Sequence, residues 1–351
     1  MKQVRFESFG PPAHVARCVE VAEPGAPAPW EVLVEVEACC VNPADLARLA
    51  GQYGERPRLP AGVGLEAAGR ILACGAAVHG LAVGDRVVIV GNDNWVQRRR
   101  IAATLVLKAP PGVDALQLAA LKVGAVTAVE LVRRHGTRRP GDWLVQNAPL
   151  SGVGRAVIQV ARHDGLRTLN IVRRADAVDA VLALGGDAAV LDDGDPARLR
   201  EAVRAATGGA PLRCAFDAVG GAAVARLAQA LDEGGTIVNY GMLSGQPMLL
   251  GCEQTVFRGI SLRGFWLSQR LARMPAAPRD ALLVEAMTLL ACGALRTEVA
   301  AAYPLAQVGA ALRHAQEPGR RGKVFLLPNG PLHGPQADAT DAAAPELHGA
   351  A

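Results

Sequence analysis

Between Val123 and Leu267, short apolar runs alternate with segments whose apolar residues recur at helical spacing. WLVQNA (143–148), RTLNIV (167–172), AAVL (188–191), CAFDAV (214–219), TIVNYG (236–241) and ISLRGFW (260–266) read as six strands. Helices are expected from about Val153, over Asp176 to Leu184, near Pro196 to Ala206 and near Ala222 to Leu231. Nearly continuous apolar strands separated by helices belong to a parallel sheet covered on both faces, so this stretch predicts a doubly wound α/β domain. The first 120 residues differ. VRFESF, EVLVEVEAC, AAGRILAC and DRVVIV, with Gly and Pro turns between them, predict a β-rich domain. After Trp266, a helical stretch at about 278–293 leads to TEVAAAYPL and GKVFLL, and the simplest assembly folds this end back onto the first domain. The expected organisation is residues 1–120 with 272–327, a middle domain of residues 121–271, and a cleft between them. Residues 328–351 offer little apolar bulk to offset ordering entropy and are expected to be a disordered tail.

The first strand of the middle domain ends in a turn, Leu150, Ser151, Gly152, Val153, Gly154, that opens a helix. Unpaired N–H groups at the positive end of a helix suit a pyrophosphate, and the glycines allow tight turning and close approach. The third glycine of the G-x-G-x-x-G fingerprint is replaced by Val157. Nineteen positions after Gly154, at the end of the second strand, stand Arg173 and Arg174. An NAD enzyme places a carboxylate there for the ribose hydroxyls, whereas guanidinium groups suit a 2′-phosphate. A charge-assisted hydrogen bond contributes roughly 1.5–3 kcal/mol, about 10- to 150-fold in preference, so NADPH is expected over NADH.

Composition narrows the chemistry. The 351 residues suit about two domains. A formal charge of +4 and few aromatics give no nucleic-acid signature. Arg98, Arg99 and Arg100 are expected on a solvated loop or strand end. No apolar run reaches the roughly 18 residues of a membrane span, and MKQVRFESFG has no apolar signal core. Seven cysteines without a C-x-x-C suggest reduced thiols in the cytoplasm. Zinc dehydrogenases of this layout ligate metal in the first domain, but here Asn42 stands at a ligand position and Leu65 where His would precede Glu66. The seven histidines are scattered, His135 and His163 reading as helix-face residues, and Cys39 and Cys40 read as packed thiols at a strand end. No metal is expected. Hydride chemistry then needs a substrate activated otherwise, such as a double bond conjugated to a carbonyl, or a quinone.

Residues 1–327 resemble the zinc-free medium-chain dehydrogenase/reductases, and most closely the mitochondrial-type trans-2-enoyl thioester reductases, which reduce 2-enoyl-CoA or 2-enoyl-acyl-carrier-protein with NADPH. The resemblance is carried by VNPADL with GQYGERPRLP, QNAPLSGVGRAVIQVA with LRTLNIVR, GGTIVNYG, and above all LRGFWLSQ. It implies a GroES-like catalytic domain beside a Rossmann domain, and a homodimer that extends its sheet through ISLRGFW. By this resemblance Tyr53 is the catalytic tyrosine, serving protonation at the substrate α-carbon, and Trp266 lies near the thioester. Tyr240, Gly241, Met242, Leu243, Phe265, Leu267, Ser268, Thr127 and Lys323 are implied to line or hold the cofactor, beside Leu150, Ser151, Gly152, Val153, Gly154, Arg173 and Arg174. Asp45 and Glu66 read as structural. The family's Asn and Tyr in VNPxTAY are Gly124 and Val129 here, its GNEG has Leu65 for Asn, and its GTW reads Asp93, Asn94, Trp95. These departures bear on the substrate more than on the reaction type. A quinone reductase shares the fold and cofactor, and a cofactor-binding protein with lost or secondary activity is the third reading.

Overall fold

The computed structural model describes residues 1–136 and 139–332, so most of the expected tail, from residue 333 on, lies outside the described residues. The middle of the chain folds into a six-stranded parallel sheet. In spatial order its strands are Ala188–Leu191, Arg167–Val172, Trp143–Asn147, Leu212–Asp217, Thr236–Asn239 and Ser261–Gly264. In chain order this is 3-2-1-4-5-6, and the order reverses between Trp143–Asn147 and Leu212–Asp217. All five residues of Trp143–Asn147 are buried, as a central strand requires. The helices Gly152–His163, Asp176–Ala183, Pro196–Thr207 and Ala223–Ala230 fall where the pattern predicted them.

A second sheet of seven strands contains Glu31–Cys40, Ala67–Cys74, Arg86–Ile89 and Val106–Lys108. Val299–Pro304 and Lys323–Leu327 return to it from the other end of the chain, with Phe325 paired to Cys40. Arg98–Ala102, expected as a solvated loop or strand end, is a paired strand of this sheet. Along Glu31–Cys40, Val32, Val34 and Val36 face one apolar core. The register then shifts between Val36 and Ala38, and Ala38 and Cys40 face the other core while Cys39 stays with the first. A bulge of this kind re-aims every following side chain, and it buries both thiols at the strand end.

The two sheets meet over a shared core. One apolar cluster joins Ala38, Cys40, Ala68 and Val88 of the second sheet to Val157 and Val160 of the helix after the glycine turn. Leu282, Leu283 and Ala286 of helix Ala276–Ala291 join it as well. Between the sheets runs a helical stretch that carries His135, as expected, at its end: Ala115–Ala119, a π-helical Leu121–Val126, Thr127–Glu130 and a π-helical Leu131–His135. Single π-turns often mark functional positions, and this one places Gly124 on the cleft.

Candidate active site

A cleft of about 1080 Å³ opens at the carboxyl ends of the parallel strands, where the order reverses, and Pro43 with residues 317–323, at the border of the second sheet, lines its other side. Leu150, Ser151 and Gly152 line it. Ser151 caps helix Gly152–His163 by accepting from the Gly154 N–H at 3.1 Å. Gln146 steadies the same turn from the strand beneath, donating to the Gly154 carbonyl at 3.0 Å. The glycines have separate reasons. A Cβ on Gly154 would stand 2.4 Å from the Ala148 carbonyl oxygen, so the strand end could not pass the helix. A Cβ on Gly152 would stand 2.5 Å from Cε of Lys323, whose side chain lies across the turn. Val157 is fully buried in the shared core, so the absent third glycine is replaced by packing. Val153 packs against that core from the cleft-side turn.

Arg173 and Arg174 line the far end of the cleft, exposed, with Arg174 paired to Asp176 at 3.1 Å. Between the two ends sits a polar hub that the apolar pattern concealed. Asp217, fully buried, accepts from the amides of Asn147 and Asn239 and from the Val219 and Gly220 N–H groups. Each of these three residues is the last of its strand, and polar ends on three apolar runs (VQN, AFD, IVN) were the available signal. The hub fixes the loop after Asn239, where a Cβ on Gly241 would meet the Ala218 carbonyl oxygen at 2.6 Å.

Tyr53 meets Trp266 and Ser268, more than 200 residues further along the chain, in one group. The Trp266 Nε1–H donates to the Tyr53 hydroxyl at 2.8 Å, and the Ser268 hydroxyl lies 3.0 Å from the same oxygen. The rings pack edge to face with centroids 5.5 Å apart. Gly54 leaves room for the indole, since a Cβ there would stand 3.0 Å from it. All three residues are half-buried.

Behind the turn lies a buried charged network. Lys323, 9% exposed, donates to the Asn42 side-chain oxygen, and Asn42 donates to Glu66 at 2.7 Å. Glu66 also accepts from the Val123 N–H at 2.8 Å. Asp45 accepts from the Asn42 and Leu65 N–H groups at 2.9 and 3.0 Å. Lys122, 4% exposed, donates to the Leu65 and Val90 carbonyls. Burial pushes Asp45 up to about 7 and Glu66 upward, and pulls Lys122 down to about 8. Asn42, Asp45 and Glu66 thus hold the sheet junction. Among the described residues, no group of three or more His, Cys, Asp or Glu is placed to hold a metal ion. The Asn42 amide is spent on Glu66 and Lys323, and Leu65 is core, so the residues present do not fit a zinc site.

The remaining candidates are spread. Leu243 lines the cleft, and Met242 is exposed beside it. Burial raises the Tyr240 hydroxyl, which has no hydrogen-bond partner within bonding geometry although Ser151 is its polar neighbour. Phe265 stacks edge to face on His135, and Leu267 is buried in the shared core. Thr127 and Trp95 are buried too, Trp95 within the core of the second sheet. Gly124 borders the cleft with nothing within 4 Å of a Cβ position.

A glycine turn at the switch point of a 3-2-1-4-5-6 sheet, faced by a second β domain, defines an oxidoreductase of dinucleotide-binding build. The model of the alcohol dehydrogenase GroES-like domain matches residues 28–111, and that of zinc-binding dehydrogenases matches residues 152–280. The chain is 31% identical over 332 residues to human mitochondrial enoyl-[acyl-carrier-protein] reductase, covering 92% of this chain and 88% of the relative. Identity to the same-named protein of Xenopus tropicalis is 30% over 333 residues, 92% and 94% of the two chains. Among solved structures, Escherichia coli quinone oxidoreductase complexed with NADPH superposes with TM-score 0.83 at 25% identity, covering 93% of this chain and all of that one (100%). A putative NADPH:quinone reductase from Bacillus thuringiensis superposes with TM-score 0.84 at 26% identity, covering 93% and 98%. The chain belongs to the medium-chain dehydrogenase/reductase family.

Proposed function

We propose that the protein is a zinc-independent reductase that uses NADPH to saturate the carbon–carbon double bond of an α,β-unsaturated acyl compound of the 2-enoyl thioester type. Tyr53, held at its hydroxyl by Trp266 and facing Ser268, is the observation that carries this reading. The bound cofactor would supply hydride to the β-carbon. The chain's residues then have two tasks, to hold the dinucleotide and to manage the proton. Ser151, Gly152 and the start of helix Gly152–His163 suit the pyrophosphate, and Arg173 and Arg174 suit a 2′-phosphate. A phenol has one proton to give and two lone pairs to fill. Trp266 donates to the Tyr53 oxygen, and when the Ser268 hydroxyl donates as well, the Tyr53 proton is left for the substrate α-carbon, directly or through water. The same two donors stabilise the negative charge that the transfer leaves on the phenol oxygen.

A quinone substrate is the second reading, favoured by the names of the structures at 25% and 26% identity. It gives the Tyr53 proton no necessary role. NADPH oxidation assayed with short and long 2-enoyl thioesters beside a quinone separates the two. Enoyl turnover supports the first reading, and quinone turnover alone would replace it. Silence with both substrates in a protein that binds NADPH would favour the third reading, a cofactor-binding protein.

The parallel sheet ends in Ser261–Gly264, an edge strand with exposed positions, next to Val256 and Phe257, which are 69% and 80% exposed. An edge of that kind invites pairing, and we propose a homodimer across it. A monomer mass by light scattering at micromolar concentration would refute this. The seven cysteines are unpaired, which suits a reducing compartment such as the cytoplasm. Among the described residues, no helix is long and apolar enough to cross a membrane.

A further inference from the structure

Residues 317–322 connect helix Val308–Gln316 to strand Lys323–Leu327 and run along the cleft. They approach the end of the second parallel strand closely: a Cβ on Gly319 would stand 3.3 Å from Nη1 of Arg174. Two arginines follow. Arg321 is exposed, whereas Arg320 turns inward, and its Nε and Nη1 are buried without a hydrogen-bond partner. Its surroundings do not suit a structural arginine. The Cys40 thiol beside it is pushed well up by burial and stays neutral, with Lys323 also acting on that thiol. The opposite charge acting on Arg320 is Glu317, whose side chain is 64% exposed. The nearby carboxylates are already matched, since Glu66 and Asp45 face Lys122 and Lys323. Arg320 adds a cation whose counter-charge, Glu317, is largely in solvent. A half-buried guanidinium whose Nε and Nη1 are held out of water and unspent is arranged for an anion that arrives later.

We propose that Arg320 is a pyrophosphate ligand, reaching the dinucleotide from residues 317–322 and opposing the N–H groups at the start of helix Gly152–His163. Lys323 fixes the place, because its side chain lies over Gly152 and it lines the same cleft three residues along the chain. The assignment rests on the dinucleotide reading above and divides its labour. Arg173 and Arg174 distinguish NADPH from NADH, whereas Arg320 binds what the two share.

The test titrates wild type, Arg320→Gln and Arg320→Lys with NADPH, NADH and adenosine 2′-monophosphate, and records unfolding midpoints without nucleotide. Arg320→Gln is expected to weaken both dinucleotides by about tenfold or more and by the same factor. It should spare the 2′-monophosphate, and Arg320→Lys should restore part of the loss. The midpoint should stay level or rise, because a buried group without partners has been removed. Wild-type affinity for both dinucleotides in Arg320→Gln overturns the proposal. A loss confined to NADPH, or a loss that follows a falling midpoint, overturns it equally. A wild type that binds neither dinucleotide overturns the cofactor reading, and the proposal with it.

Discussion

Replacing Arg173 by alanine should weaken NADPH and leave NADH untouched. Arg173 and Arg174 follow strand Arg167–Val172, and both are exposed at the cleft's end. A charge-assisted bond to phosphate is worth roughly 1.5–3 kcal/mol, and exposure to solvent selects the lower end. The expected loss is about 1.5 kcal/mol, about tenfold in NADPH dissociation constant. Arg173→Ala with Arg174→Ala should lose about 3 kcal/mol, on the order of a hundredfold, if the two bonds add. Arg174 is already engaged by Asp176 at 3.1 Å, with side chains 58% and 69% exposed. Asp176→Ala should therefore release Arg174 and tighten NADPH by about 0–1 kcal/mol. Fluorescence titration with NADPH and NADH in parallel reads all of this. Equal losses for the two cofactors, or no loss in the double variant, would refute the assignment of the arginines to a 2′-phosphate.

Gly154→Ala should destabilise the fold by about 1–3 kcal/mol and abolish binding of both cofactors, because its Cβ meets backbone at Ala148 and Pro149. Gly152→Ala meets only the flexible end of Lys323, so it should keep its unfolding midpoint and lose cofactor affinity. Gly124→Ala, with open space at its Cβ and a helical backbone, should raise stability by about 0.5–1 kcal/mol in thermal unfolding. The junction network predicts a pH profile of stability. Asp45 is raised from 3.8 to about 7, so its contribution is present at low pH and is lost as pH rises to about 7. Lys122 is lowered from 10.5 to about 8, so it penalises the fold below about 8 and stability recovers from there to about 10.5. Urea unfolding of Lys122→Met should lose that alkaline rise, and a persisting rise would show that another group causes it.

The parallel sheet was readable because its inner strands are short apolar runs, and burial on both faces makes such runs stand out. Arg167–Val172 and Ala188–Leu191 have the predicted bounds. Strand Arg17–Glu20 escaped notice, and Arg98–Ala102 read only as a loop or strand end, because their polar, partly solvated faces carry no apolar run. The helical stretch from Ala115 to His135 was read only at its end, through His135, for the opposite reason. It is buried by both sheets, so its apolar residues show no one-sided period. The turn of Ser151 and Gly152 and the strand end of Arg173 and Arg174 could be read from spacing as candidates, since each is a local feature, and all four line the cleft. Tyr53 with Trp266 and Ser268 could not, because packing of distant segments makes that group, and only the family resemblance reached it. Asp217 was overlooked as the polar end of an apolar strand, and Arg320 as one of two arginines in a basic turn.

The turnover of a 2-enoyl thioester with NADPH by Tyr53→Phe is the most direct test of the account. General acid catalysis of this kind is worth on the order of 10²–10⁴-fold. The account predicts a fall of at least about 10²-fold in kcat with NADPH affinity unchanged. Enoyl turnover at the wild-type rate would contradict it and remove Tyr53 from the chemistry.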